Sequence, residues 1–77
     1  MKIHEIKVKP RLAKLLKKKG WTQRQLAKHT GVNQSSISRF DLQTRHDDRH
    51  LFLISHALGC RIEDLFEVEK IKGEEVK

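Results

Sequence analysis

The chain has 77 residues, 35% of them charged, a formal net charge of +7 and one cysteine, Cys60. That length sets one small domain with no room for a sizeable enclosed pocket, and a lone cysteine rules out an internal disulfide. The N-terminal MKIHEIKVK has no long apolar run, so neither a signal peptide nor a membrane span is expected, and a cytoplasmic location follows by elimination.

The charge is unevenly distributed. Residues 1–39 hold 11 Lys or Arg and one acid, Glu5, whereas residues 40–77 hold six Lys or Arg and nine Asp or Glu. A basic half raises local affinity for polyanions, in a manner that weakens steeply with salt.

Residues 2–8, KIHEIKV, alternate imperfectly, with Ile6 and Val8 on one side, and predict a short strand or extended arm. Pro10 suits a first helical turn, where its missing amide costs nothing, so a first helix is expected over 10–19. Its buried stripe is Leu12, Leu15 and Leu16. Lys17, Lys18 and Lys19 suit the negative end of its dipole, and Gly20 ends it. Trp21 is expected to plug the corner that follows.

Thr22 and Gln25 have the spacing of a capping box, which opens a second helix over 22–29. Leu26 and Ala27 share its inner face. Gly31 stands where a left-handed residue is wanted, because it has no Cβ to clash there. Asn33 is an N-cap for a third helix over 34–41. Ile37 and Phe40, three apart, face back toward Leu26 and Ala27. Gln34, Ser35, Ser36, Ser38 and Arg39 are left on the other faces. They are short or hydrogen-bonding side chains, with Arg39 the one strong cation.

Residues 42–47 read as a polar loop. Asp47 or Asp48 caps a fourth helix over 48–58. Leu51, Ile54, Ala57 and Leu58 repeat at helical spacing, and Phe52 and Leu53 extend the apolar surface over more than one face, as a central core helix requires. Gly59 ends it. Ile62–Phe66 predicts a short fifth helix with a weak cap at Arg61. Segments 3–8 and 66–71 could pair as a two-stranded ribbon, setting Lys7 and Lys9 against Glu67 and Glu69; alone, two strands would be marginal.

The stretch Thr22–Phe40 resembles the helix-turn-helix of the phage-repressor or Cro-like family, also called XRE. The matching residues are Gln23, Leu26-Ala27, Gly31-Val32, Ile37-Ser38 and Phe40, and the likeness extends more weakly over 10–66. It implies an all-α, five-helix, lambda-repressor-like domain over 10–66. Residues 1–9 would be an arm or strand and 67–77 a charged tail. It also implies a transcriptional regulator, a repressor in the favoured reading, that binds double-stranded DNA. By positional match Gln23 clamps a phosphate, Gln34, Ser35 and Arg39 meet base edges, and Ser36 and Ser38 lie nearer phosphates. Asn33 adds a backbone contact, and Arg45 sets register on phosphate. The chemistry agrees, since a glutamine amide pairs with adenine and an arginine grips guanine bidentately. Family members bind near-palindromic half-sites as two-fold dimers. The expected dimer surface is the fifth helix with the terminal segments, through Phe66, Val68 and Ile71. The sequence departs from the family at Leu42-Gln43, which replaces a glycine turn and leaves open which of Gln43, Thr44, Arg45 and His46 meet DNA.

Two other classes compete. An antitoxin or protein-interaction module could use the same domain, with the tail from Glu67 onward holding a partner protein. An enzyme is not expected, because there is no strand–turn–helix nucleophile elbow and no glycine-rich phosphate loop. His46 with His50 and His56 with Cys60 are each four apart, a spacing that suits zinc. The pairs fall at opposite ends of the fourth helix, about 9–15 Å apart at 1.5 Å per residue. Surface histidines and a small buried cysteine are therefore expected, with no metal and no cofactor.

Overall fold

The computed structural model describes residues 6–70. Strand β1 (Ile6–Pro10) leads to helices α1 (Leu12–Lys19), α2 (Gln23–Thr30) and α3 (Gln34–Ser38). A 3-10 turn over Phe40–Leu42 and a loop precede α4 (Asp48–Leu58), and a second 3-10 turn, Ile62–Leu65, runs into strand β2 (Phe66–Lys70).

The core is one cluster: Leu12, Leu15 and Leu16 from α1, Leu26 from α2, Val32 from the turn, Ile37 and Phe40 from α3 and its exit, Ile54 and Leu58 from α4, and Leu65. Trp21, Ala27 and Phe66 pack against it, half-buried. Burial of these aliphatic side chains is the main stabilising term for so small a domain.

Four points depart from the sequence-based expectation. The first helix begins at Leu12, not at Pro10, which ends β1 instead. Proline's fixed φ and missing N–H suit a strand end as well as a helix start, and pairing with Phe66 decides between them. Second, the third helix stops at Ser38, well short of residue 41. Three serines in a five-residue helix favour it weakly, and burial of Phe40 turns the chain into the 3-10 conformation. Third, the fifth helix is only a 3-10 turn, so the described residues form four α-helices rather than five. The Arg11 side chain and backbone donate to the carbonyls of Asp64 and Leu65, and β2 begins at the next residue. Fourth, Phe52 is 57% exposed, so α4 buries one side rather than several.

The ribbon forms antiparallel, with Lys7 opposite Glu69, Val8 opposite Val68 and Lys9 opposite Glu67. Residues 3–5 and 71 of the expected pairing lie outside the described residues, as does the tail from Ile71 onward. The inner end of the ribbon is packed on the core through Phe66, which supplies the support that two strands need.

Candidate nucleic-acid interface

The helix-turn-helix is built by local hydrogen bonds. Thr22 Oγ1 accepts from the Gln25 N–H at 3.1 Å, and Gln25 Oε1 accepts from the Thr22 N–H at 2.9 Å. Both arms of the capping box are therefore closed. Gln23, the first residue of α2, is half-buried beside them. At the other end Gly31 adopts φ 77°, a left-handed conformation that only glycine takes at little cost. Thr30 closes the corner: its hydroxyl donates to the Leu26 carbonyl at 2.7 Å and accepts from the Val32 N–H at 3.1 Å.

Asn33 Oδ1 accepts from the Ser35 N–H at 2.8 Å and from the Ser35 hydroxyl at 2.7 Å. This cap starts α3 and leaves the Asn33 amide NH2 free to donate. It also commits the Ser35 proton locally, so that hydroxyl offers lone pairs rather than a donor. Ile37 and Phe40, each 3% exposed, hold α3 against the core. Gln34, Ser35, Ser38 and Arg39 are all exposed along the opposite side. Among the described residues no ion pair engages Arg39, and no hydrogen bond engages the Gln34 amide. Ser36 differs: it is half-buried and lines a cleft of about 170 Å³ with Val32, Phe40, His46 and Ile54. Arg45 is exposed in the loop, next to exposed Gln43 and Thr44. The structure thus brings Gln34, Ser35, Ser38 and Arg39 to one exposed surface and turns Ser36 toward α4.

Three residues have supporting roles that the sequence does not announce. Asp41 reaches back 29 positions, and its carboxylate accepts from the backbone N–H groups of Leu12 at 2.8 Å and Ala13 at 3.0 Å. It caps α1, whose own N-cap, Arg11, has no capping side chain. The lack of any capping residue at Pro10-Arg11 was the available signal that an acid must come from elsewhere. His46 stacks on Phe40 at 4.0 Å between ring centroids, and its Nε2 donates to the Phe40 carbonyl at 2.8 Å. It is half-buried, not a surface histidine, and holds the turn that follows α3. Thr30 is the third, by the bonds given above.

Cys60 is a free thiol, partly buried. Desolvation, with the nearby Asp64 charge adding to it, pushes its pKa above the ordinary thiol value, which disfavours the thiolate. No group of three or more His, Cys, Asp or Glu side chains is placed to hold a metal ion among the described residues. No helix there is long and apolar enough to cross a membrane.

The exposed side of α3 and its C-cap Arg39 carry hydrogen-bonding side chains and a guanidinium, and among the described residues only the Ser35 hydroxyl of this group has an internal partner, Asn33. It lies at the end of the basic half of the chain, in which Lys17, Lys18, Lys19, Arg24 and Lys28 are all exposed. Such an arrangement can engage a polyanion through its cations and discriminate within it through its amide and guanidinium. A family model for the Cro/C1-type helix-turn-helix DNA-binding domain matches residues 11–70. Neither the curated proteins nor the solved structures compared with the chain give a match.

Proposed function

The chain belongs to the Cro/C1-type helix-turn-helix DNA-binding family, and from that premise we propose that it is a sequence-specific transcriptional repressor reading the major groove with α3. The observation that carries this reading is the outward display of Gln34 and Arg39, both uncommitted, while Ile37 and Phe40 anchor the same turn in the core. In the major groove a glutamine amide matches the N6 and N7 of adenine, and a guanidinium matches the O6 and N7 of guanine. Ser38 lies beside these two and can donate its hydroxyl to a base or a phosphate, whereas the Ser35 hydroxyl, its proton held by Asn33, can only accept, as from the amino group of adenine or cytosine. The half-buried position of Ser36 supports at most an edge contact with phosphate.

Gln23 and Asn33 would position the domain on the phosphate backbone, Gln23 from the amino end of the eight-residue α2, where unpaired N–H groups favour anions. Arg45 would neutralise a phosphate from the loop and set register without carrying sequence information. The DNA-binding unit in this reading is 10–66, flanked by the arm 1–9 and the charged tail 67–77. The protein acts in the cytoplasm as a homodimer on near-palindromic half-sites, because one such domain covers too few base pairs to be selective alone. Repression follows from occupancy: a bound dimer denies polymerase the bases it covers.

Selection of bound duplexes from a random pool at near-physiological salt tests the reading. The expected product is a half-site with a fixed guanine that Arg39→Ala no longer specifies, at a loss of about 1–3 kcal/mol. Recovery of no preferred sequence, or of an unchanged half-site by Arg39→Ala, would sink it.

A further inference from the structure

Leu42 is 84% exposed, more than any other large apolar side chain described: Phe52 is 57% exposed, Val8 and Val68 are each 54%, and Ile6 is 50%. It ends the 3-10 turn that leaves α3, and its N–H donates to the Arg39 carbonyl at 2.9 Å. A 3-10 turn has three residues per turn, so side chains three apart eclipse. The three directions of this turn are therefore assigned. Phe40 goes into the core, Asp41 goes to the start of α1, and Leu42 takes the third direction, which is that of Arg39. An isobutyl group held in water in the direction of Arg39, with exposed Gln43, Thr44 and Arg45 following, takes no part in the core among the described residues.

The geometry points to Leu42 as a further specificity-determining residue, one that reads the C5-methyl group of a thymine beside the guanine gripped by Arg39. This rests on the base-reading role proposed above for Arg39. In the major groove the thymine methyl is the one apolar feature of a base edge, and apolar side chains recognise it. Three residues of 3-10 turn advance about 6 Å. Base pairs rise about 3.4 Å each. The thymine is therefore within about two steps of the Arg39 base pair. The missing glycine turn after α3 takes on a purpose here: a glycine at Leu42 would carry no side chain to the groove.

The test replaces each thymine of the selected half-site, one at a time, by deoxyuridine, which pairs identically but lacks the methyl group. Affinity is measured for the wild-type chain and for Leu42→Ala, whose melting temperature is expected to be unchanged because the side chain is so exposed. One position within two steps of the Arg39-dependent guanine should cost the wild type about fourfold, the loss that roughly 0.8 kcal/mol per buried methyl-sized group gives. The same duplex should cost Leu42→Ala almost nothing. Equal penalties in the two proteins, or no penalty at any thymine, overturns the role of Leu42 while leaving Arg39 as a reader if the guanine preference persists. A selection that recovers no preferred sequence overturns both.

Discussion

Asp41 shows how one side chain can join two tasks. Its two carboxylate oxygens each accept a backbone N–H at the start of α1, at 2.8 and 3.0 Å. These are amides that a helix leaves unpaired, and a negative charge there also complements the helix dipole. Its neighbours in sequence are Phe40, in the core, and Leu42, in solvent. Fixing Asp41 to α1 therefore fixes the exit of α3. Asp41→Ala should destabilise the domain by about 1–2 kcal/mol, the upper part of the usual range for a lost cap. For a chain of this size each 1 kcal/mol lowers the melting temperature by roughly 4–8 °C. Asp41→Asn keeps one acceptor oxygen and should lose less than Asp41→Ala. A thermal melt of each variant measures this, and equal, negligible shifts in both would show that the cap is dispensable.

At the scale of elements, the turn between α2 and α3 depends on Gly31 for a purely conformational reason. A Cβ built on it meets nothing within 4 Å, so no packing clash opposes a substitution. Its φ of 77° is the whole obstacle. Gly31→Ala should cost about 1–2 kcal/mol, the usual penalty for a left-handed residue with a Cβ. Gly31→Asn should cost less, since asparagine tolerates that region. Comparison of the two by urea unfolding checks the cause, and a larger loss in Gly31→Asn would mean that bulk matters after all. This turn was readable in the sequence because each of its signals spans at most four residues: Thr22 with Gln25, Gly31 alone, Asn33 alone, Ile37 with Phe40. The ribbon was readable from its alternation and its opposed charges. The early end of α3, the position of Pro10 and the aromatic stack of His46 were not. Each is decided by a partner distant in sequence or by the packing of Phe40, and no local pattern encodes either. The exposed Phe52 escaped for a related reason, since helical periodicity alone does not say how far a core extends around α4.

At the scale of the whole molecule, the ribbon has a largely apolar side that remains half in water. Residues opposite each other in an antiparallel pair share a face. Ile6, Val8 and Pro10 therefore lie on the same face as Phe66 and Val68, with Lys70 at the outer register position opposite Ile6, while Lys7, Lys9, Glu67 and Glu69 lie on the other. Phe66 is taken up by the core, but Ile6, Val8 and Val68 remain 50–54% exposed. In the proposed homodimer these three side chains would meet their counterparts face to face. Edge-to-edge pairing is disfavoured: two-fold pairing of β1 with its copy about Val8 would set Lys7 against Lys9, and pairing of β2 about Val68 would set Glu67 against Glu69. Val68→Asp places a charge in the middle of that face without touching the core or α3. The variant should keep its helical circular dichroism and its affinity for a single half-site, yet sediment as a monomer. Its affinity for a two-half-site operator should fall by about 100-fold or more, because the second contact is no longer intramolecular. If the wild-type chain is itself monomeric on operator DNA at saturating protein, or if Val68→Asp dimerises as the wild type does, the ribbon face is not the subunit interface.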